Sequence, residues 1–196
     1  NGTIGDGIAS ALSAGAELSD MEFVQFHPTA LEDSAILISE SARGEGGYLL
    51  NHKSERFIDE LAPRDVVARA IFEQISLGHK VFLDIRHLGK EKIERLMPQE
   101  LHLCRLHAKK DPIHEIIPIM PVAHYTMGGI SVDINSCVEG LDNCYAIGEC
   151  SNSKVHGANR LGGNSLLEII VFGKRVSEHI SQLDSTMVCD DKQYHI

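Results

Sequence analysis

Apolar positions recur at helical spacing in four parts of the chain and alternate or cluster in short runs elsewhere. Helical spacing predicts four helical regions, which are Gly5–Ala14, Pro63–Ile75, Lys90–Lys110 and Ser165–Ile180. Gly15 and Gly78 are typical helix stops, Pro63 is typical of a first helical position, and Pro98 should interrupt the third region. In the second helix the positions expected on the buried side are Val66, Val67, Ala70, Ile71 and Ile75.

Short apolar runs with alternating or β-rich character predict strands between these helices. The predicted strands are Glu22–Phe26, Val81–Ile85, Gly129–Asp133 and Cys144–Ile147. Between Ile36 and Ile58, apolar runs divided by glycine predict a small antiparallel sheet. From Asp184 onward the sequence is typical of a frayed tail.

Composition and charge restrict the kind of protein this is. The chain has 196 residues, 43% of them hydrophobic, and a formal net charge of -10 from 28 acidic and 18 basic residues. This acidity argues against nucleic acid or an anionic membrane as the main partner. The five cysteines are odd in number and form no C-x-x-C pair, which favours a reducing compartment. We therefore expect a soluble, cytoplasmic protein, and its start without methionine suggests a segment of a longer one.

Four short stretches combine a cationic or titratable side chain with a turn or a helix start. They are His27-Pro-Thr, Pro63-Arg64-Asp65, His124-Tyr-Thr-Met-Gly-Gly and His156-Gly-Ala-Asn-Arg160. Arg64 would lie at the positive end of a helix, which is unfavourable unless an anion is shared there. Together these cations would suit a small dianion with a carboxylate at either end. Alternatively, Arg64 pairs with a nearby carboxylate and each histidine is structural.

Two further stretches carry polar groups that could bind a ligand. Ser39 and Glu40 supply a hydroxyl and a carboxylate in a glycine-rich loop, suited to hydrogen bonding or proton relay, although charge pairing within the loop is the alternative. Ser165 and Leu166 open the last predicted helix, whose first N–H groups would favour negative charge unless Asn or Ser simply caps it. Glu149 follows a predicted strand and Gly148, where a carboxylate can meet a cofactor hydroxyl.

The histidines give little support for a metal site. In His102-x-Cys104-x-x-His107 only Cys104 and His107 share a helical face, so no metal is predicted. Cysteine catalysis has no better support.

Several longer motifs resemble those of a known family. They are TIGDGIA at 3–9, EFVQFHPTAL at 22–31, ISESARGEGGYL at 38–49, ELAPRDVVARAI at 60–71, AHYTMGGI at 123–130, YAIGE at 145–149 and HGANRLGGNSLLE at 156–168. In these motifs the chain resembles the flavoprotein family of L-aspartate oxidase, fumarate reductase and succinate dehydrogenase. The motifs are long, keep one order and span most of the chain, which makes chance similarity an inadequate explanation.

The resemblance implies an α+β fold, in which a capping domain of a small sheet plus helices is flanked by two segments of an incomplete FAD-binding α/β domain. A complete substrate-capping domain would occupy residues 22–124, flanked by FAD-binding segments at 1–21 and 125–183, with a tail at 184–196. The dinucleotide fingerprint GxGxxG is found nowhere in the chain. The resemblance therefore implies the middle part of a flavoenzyme that uses FAD when intact, and we expect the purified chain itself to be colourless.

The resemblance also implies roles for individual residues. Arg64 would transfer the proton in catalysis. The residues that would surround the dicarboxylate are His27, Ser39, Glu40, His124 and Arg160. Those that would contact FAD are Asp6, Glu149, Ser165 and Leu166. Ser39 stands where the family commonly has threonine, a change that keeps the hydroxyl.

Within the family, the motifs HPTAL, ELAPRD and NSLLE most resemble L-aspartate oxidase. This implies oxidation of L-aspartate to iminosuccinate, with oxygen or fumarate as electron acceptor and quinolinate synthase as the next enzyme towards NAD. Because HYTMGG and RLGGNSL are shared with fumarate reductases, a fumarate reductase or succinate dehydrogenase flavoprotein subunit is the first alternative. The second is an isolated, non-catalytic capping module without FAD.

Overall fold

The computed structural model describes residues 4–183, and the predicted tail from Asp184 onward lies outside them. These residues form a mixed α+β fold with two small sheets. The helices are α1 (Asp6–Ala14), α2 (Ser41–Gly44), α3 (Arg64–Ser76), α4 (Lys90–Leu96), α5 (Pro98–Leu103) and α6 (Asn164–Ser181). The strands are β1 (Leu18–Ser19), β2 (Val24–Leu31), β3 (Tyr48–Leu50), β4 (Val81–Asp84), β5 (Ile117–Thr126), β6 (Gly129–Ser131) and β7 (Ser151–Asn152).

The described residues divide into two compact units. The central unit comprises Glu22–Met127 and Gly157–Gly162, and the flanking unit comprises the described parts of Asn1–Met21, Gly128–His156 and Gly163–Ile196. The central unit extends three residues past the predicted limit at 124 because β2 and β5 pair as far as Val24 and Thr126. The identity of these units as capping and FAD-binding domains stays a prediction.

The central unit is built on a four-stranded antiparallel sheet in the order β2-β5-β4-β3. Helix α3 packs on β2 and β5 through Val67, Ala68 and Ile71. Val66 was expected in this face but is 39% exposed, because it lies on the opposite side of the helix turn from Ile71. Leu83 and Ile117 lie in the same core. Of the apolar positions that the sequence pattern marked on this helix, Val67 and Ile71 are buried.

Helix boundaries follow local sequence signals. Helix α3 begins directly after Pro63, and Gly78, just beyond its end, adopts φ +78°. The third helical region is divided at Pro98 into α4 and α5, and a π-helical turn over Cys104–Ala108 follows. Within residues 4–183 no helix is both long and apolar enough to cross a membrane.

The predicted sheet between Ile36 and Ile58 is wrong in most of its length. Only Tyr48–Leu50 forms a strand there, and it joins the four-stranded sheet through β4. Ser41–Gly44 is a short helix, and Gly47 brings the chain close to it: a Cβ on Gly47 would lie 2.5 Å from the Ala42 carbonyl oxygen. The strand begins directly after this tight turn.

The flanking unit contains a three-stranded sheet in the order β1-β6-β7, with β6 and β7 parallel. Helix α1 ends at Gly15, which adopts φ +106° as a left-handed cap. The predicted strand at Cys144–Ile147 is wrong, since these residues make only one isolated bridge, between Cys137 and Tyr145. Helix α6 exposes a row of apolar side chains, which are Leu166, Leu167, Ile169, Ile170 and Val171.

Candidate functional site

Two bulges in the β2–β5 pair position the histidines of the central unit. Gln25 faces Tyr125 and Phe26 faces Ala123, which leaves His124 as an extra residue on β5. On β2, Pro28 and Thr29 form a second irregularity before Ala30 meets Met120. Bulges bend a strand and redirect side chains, and they tolerate proline. The expected turn at His27-Pro-Thr is therefore wrong: Pro28 lies inside a bulged strand.

The bulged strands bring His27 and His124 together. Their ring centroids are 5.2 Å apart in an edge-to-face arrangement. His27 is buried, and its Nδ1 accepts a hydrogen bond from the backbone N–H of Thr29 at 3.3 Å. Burial, followed by the charges of Arg64, His124 and Arg43, lowers the pKa of His27 to about 3. His27 is therefore neutral at physiological pH, with its proton on Nε2 available for a hydrogen bond to a ligand.

Arg64 begins α3 and is held by a carboxylate from another part of the central unit. Its Nε and Nη2 donate to Glu40 Oε2 at 3.1 and 2.5 Å, and its Nη1 donates to Gln25 Oε1 at 3.4 Å. The Arg64 side chain is 11% exposed and that of Glu40 is 44% exposed. Glu40 thus offsets the unfavourable location of a guanidinium at a helix start. The pairing expected as the alternative exists, but Arg64 is largely buried.

Arg43 approaches the other oxygen of the same carboxylate. Its Nη2 lies 3.6 Å from Glu40 Oε1, and its Nη1 donates to the Glu60 backbone carbonyl at 2.6 Å. The side chain is 1% exposed, and burial lowers the pKa of its guanidinium while Glu40 acts in the opposite direction. Although burial raises the pKa of Glu40, the hydrogen bond from Arg64 and the charges of both arginines bring it below its usual value. Glu40 therefore bridges two guanidiniums.

The loop at 157–162 brings Arg160 into the central unit. Gln25 Nε2 donates to the Arg160 backbone carbonyl at 2.6 Å and to Asn159 Oδ1 at 2.8 Å. The Arg160 guanidinium lies over the Tyr125 ring, with Cζ 4.2 Å from the centroid. Gly162 follows closely, because a Cβ there would lie 2.9 Å from Glu40 Oε2. A side chain at position 162 would therefore have to displace the Glu40 carboxylate.

Ser39 is adjacent to the cluster in sequence, and its side chain is engaged locally. Its hydroxyl accepts hydrogen bonds from the Ser41 backbone N–H at 3.2 Å and from the Ser41 hydroxyl at 2.9 Å. Ser39 is exposed. Its predicted contact with a dicarboxylate stays a prediction.

Sequence reasoning assigned no role to two members of this cluster, Gln25 and Arg43. Gln25 bonds Arg64, Asn159 and the Arg160 carbonyl at once, and it is 4% exposed. Its position two residues before His27 on one strand places both side chains on the same face and was an available signal. For Arg43, the signal was its i,i+3 spacing from Glu40.

The flanking unit holds the residues predicted to contact FAD. Asp6 is the exposed first residue of α1, and Glu149 is exposed in a 3₁₀ turn over Gly148–Cys150. Ser165 and Leu166 lie in the first turn of α6, and Leu166 is 63% exposed. The alternative of an Asn or Ser cap is wrong, since the N-cap residue is Gly163 and no side chain in the described range caps this helix.

His156 belongs to the flanking unit and is paired there. Its Nε2 lies 2.9 Å from Glu168 Oε2, and Ser153 Oγ donates to Glu168 Oε1 at 2.8 Å. His156 and Glu168 side chains are 8% and 3% exposed. The pairing with Glu168 agrees with the alternative that His156 is a structural histidine.

No group of three or more His, Cys, Asp or Glu side chains within residues 4–183 has metal-binding geometry. In the weakest candidate motif, Cys104 is buried, and burial followed by the charges of Glu100 and Asp111 raises the pKa of its thiol to about 12. A thiol in that state is a poor metal ligand and a poor nucleophile.

Sequence comparison gives the family to which the chain belongs. The FAD binding domain family matches residues 1–166, and the chain belongs to it. The fumarate reductase flavoprotein subunit of Escherichia coli (strain K12) is 42% identical over 93% of this chain and 34% of its own length. L-aspartate oxidase of Synechocystis sp. is 48% identical over 88% of this chain and 34% of its own length.

Solved structures give the same picture. A structure described as quinol-fumarate reductase with menaquinol molecules superposes with a TM-score of 0.87 at 41% identity, covering 93% of this chain and 36% of that one. The chain thus spans about a third of the length of the curated relatives that it matches. FAD is the cofactor of the intact family members.

The flanking unit has features that fit FAD. Helix α6 has 18 residues, begins without a side-chain cap within the described range, and would therefore favour a negatively charged group at its start. A Cβ added to Gly163 would meet no atom within 4 Å, so this helix start is open. That Asp6, Glu149, Ser165 and Leu166 contact the cofactor stays a prediction.

Proposed function

We propose that this chain is part of an FAD-dependent L-aspartate oxidase and supplies its dicarboxylate-binding residues. The observation that carries the proposal is the cluster of the central unit, in which Arg43, Arg64 and Arg160 are accompanied by Glu40 as the bridging carboxylate. Gln25 links Arg64 to the Arg160 loop.

The charge of this cluster suits a dianion. Three guanidiniums and one carboxylate leave two positive charges, and the neutral His27 adds a hydrogen-bond donor without adding charge. Arginine recognises carboxylates through its planar fork of N–H donors. A substrate with a carboxylate at either end would balance the charge, whereas a monocarboxylate would leave a buried cation uncompensated.

The contacts of Arg64 suit it to proton transfer. In the oxidation of L-aspartate, the substrate loses a hydride from its α-carbon and a proton from its amino group, giving iminosuccinate. When bound, FAD would supply the hydride acceptor. Arg64 would take the substrate proton as it passes one to Glu40 along the 2.5 Å contact, and the exposed part of Glu40 would release it to solvent. Arg43, next to the other Glu40 oxygen, would favour the return of that carboxylate to its charged form.

The choice of L-aspartate as substrate is supported by relatives and motifs together. L-aspartate oxidases of Synechocystis sp. and Clostridium acetobutylicum are 48% and 46% identical to the chain, and both exceed the 42% of the Escherichia coli fumarate reductase subunit. HPTAL, ELAPRD and NSLLE agree with this choice. Oxygen or fumarate would then accept the electrons, and quinolinate synthase in the cytoplasm would use the product.

A fumarate reductase or succinate dehydrogenase flavoprotein subunit is the second candidate. The 8-methylmenaquinol:fumarate reductase flavoprotein subunit of Wolinella succinogenes is also 46% identical over 87% of the chain. The same cluster would then bind fumarate or succinate, which are dianions of similar length.

The deciding experiment compares turnover of L-aspartate and of succinate by the complete flavoenzyme that contains these residues. We expect L-aspartate to be oxidised and succinate to be a poor substrate. Oxidation of succinate without oxidation of L-aspartate would favour the second candidate. Turnover of neither, with no dicarboxylate binding, would favour the non-catalytic module.

The role of Arg64 is tested in the same enzyme. We expect Arg64→Ala to reduce kcat by at least about a hundredfold, the low end of the contribution of a positioned acid–base group. Arg69→Ala is the matched control, because Arg69 lies on the same helix, is paired with Asp65 at 2.8 Å and is 67% exposed in its side chain. If both variants keep the full rate, Arg64 is not the proton-transferring residue.

A further inference from the structure

Arg160 and Tyr125 form a buried pair. The family resemblance implies a role for Arg160 but none for Tyr125. Arg160 is 4% exposed and Tyr125 is 6% exposed. The guanidinium carbon lies 4.2 Å from the centre of the tyrosine ring, which is well within the range of a cation–π contact. Both residues belong to the central unit.

A guanidinium held over an aromatic ring has less freedom, and this matters for ligand binding. The guanidinium carbon of Arg160 lies over the Tyr125 ring, and Nη1 donates to the Leu161 backbone carbonyl at 3.4 Å. The ring therefore restricts the positions from which Arg160 can approach a carboxylate. Without an aromatic face beneath it, a long arginine side chain has several rotamers and loses entropy on binding.

The sheet register shows that both ends of Arg160 are held by one cross-strand pair. Gln25 on β2 lies opposite Tyr125 on β5. Gln25 Nε2 donates to the Arg160 backbone carbonyl at 2.6 Å, and the Tyr125 ring contacts the Arg160 guanidinium. The backbone and the tip of Arg160 are thus attached to neighbouring positions of the same sheet.

We propose that Tyr125 is a positioning residue that orients Arg160 for one carboxylate of the substrate. The inference rests on the proposed function in that it needs a dicarboxylate as ligand. It goes further by assigning the alignment of that carboxylate to the aromatic ring of Tyr125. It predicts that substrate binding and the chemical step depend on different residues, because the ring lies against Arg160, whereas Arg64, the proposed proton-transferring residue, is paired with Glu40.

The test replaces the ring in the complete flavoenzyme. Tyr125→Met keeps most of the buried volume but lacks an aromatic face, and Tyr125→Leu is the second such variant. We expect each to raise KM for the dicarboxylate about tenfold, the effect of losing a buried cation–π contact, with kcat within about twofold of the wild type. Tyr125→Phe keeps the ring and should restore the wild-type KM.

Binding is measured independently of turnover by calorimetric titration with malonate, a dicarboxylate that has no bond to be oxidised. In an enzyme that already carries Arg160→Met, adding Tyr125→Met or Tyr125→Leu should not weaken malonate binding further. This is expected because the two residues act as one unit. Tyr48→Leu is the matched control, because Arg56 lies over the Tyr48 ring at 4.4 Å in another part of the sheet. This control should leave KM and malonate affinity unchanged.

The outcomes separate the inference from the proposed function. A wild-type KM in the Met and Leu variants, or a Phe variant as impaired as these two, would overturn the role of the ring. Malonate binding that depends on Tyr125 and Arg160, without any L-aspartate turnover, would support the inference and overturn the proposed oxidase. If the wild-type enzyme binds no dicarboxylate, both fail.

Discussion

The buried histidine of β2 should make stability depend on pH in a way that one substitution removes. The pKa of His27 falls from 6.5 to about 3 on folding, first because of burial and then because of the charge of Arg64. As the pH falls below 6.5, the unfolded chain binds a proton at this position and the folded chain does not. Stability is therefore present above the unfolded pKa and is lost as the pH falls towards the folded one.

The size of this effect follows from the two pKa values. Between about pH 7 and about pH 4.5, a single group that titrates near 6.5 when unfolded and near 3 when folded costs about 2.5 kcal/mol of unfolding free energy. His27→Asn removes the titration and places an amide oxygen where Nδ1 accepts the Thr29 N–H. We therefore expect the difference in stability between wild type and variant to shrink by about 2.5 kcal/mol over this interval.

Urea unfolding of both proteins at the two pH values measures the change. At about pH 7 the difference in unfolding free energy between wild type and variant gives the effect of the substitution on packing. The contributions of the other titrating groups are the same in both proteins and cancel in this difference. A proton NMR titration of the His27 ring gives the folded pKa directly. Equal pH dependence in both proteins, or an NMR midpoint near 6.5, would refute the reasoning.

Three further substitutions test other contacts. Gly162→Ala should displace the Glu40 carboxylate from Arg64 and lower kcat about tenfold while the urea midpoint stays unchanged; an unaltered rate would contradict this. Gly47→Ala should cost about 3 kcal/mol of unfolding free energy, because its Cβ would overlap the Ala42 carbonyl oxygen and Ile85 Cγ2 at 2.5 and 2.8 Å. Glu168→Leu should lower the free energy of unfolding in urea by about 3 kcal/mol, because it leaves His156 and Ser153 without their partner. The control Glu178→Leu removes an exposed pair with Lys174 and should lower it by less than about 1 kcal/mol.

Elements with strong local signals could be predicted from sequence. Helix α3 is the best case, since Pro63 before it, Asp65 in its first turn and Gly78 after it all act within a few residues. Helix α1 and its Gly15 cap are similar. These features depend on backbone geometry that neighbouring residues determine.

The features that failed depend on contacts between distant parts of the chain. Pro28 suggests a turn, but pairing with β5 keeps it within a bulged strand. Cys144–Ile147 has the composition of a strand but lacks a partner along its length within the described residues. Residues with a high strand propensity form a strand only where a neighbouring strand is available for pairing.

In the candidate site, too, local sequence signals could be interpreted, whereas contacts between distant parts of the chain could not. The residue types and their motifs indicated an anion-binding cluster before any contact was known. The bridge from Arg64 to Glu40 spans 24 residues of sequence, and the Gln25 contacts to Asn159 and Arg160 span 134 and 135. Spacing along the chain could have drawn attention to Gln25 and Arg43, but their partners across such separations could be found only from the fold.

The bulge after His27 has a consequence for how this protein can change over evolutionary time. Side chains on a regular strand alternate strictly, so a one-residue insertion or deletion moves every later side chain to the opposite face. In β2 the residues before Pro28 serve the cluster, and those after it, such as Leu31, serve the core. The bulge changes the alternation of side chains, so that residues on both sides of it lie on the face that they need. Substitutions on either side should accumulate independently, whereas a change of length at Pro28–Thr29 would compromise both at once.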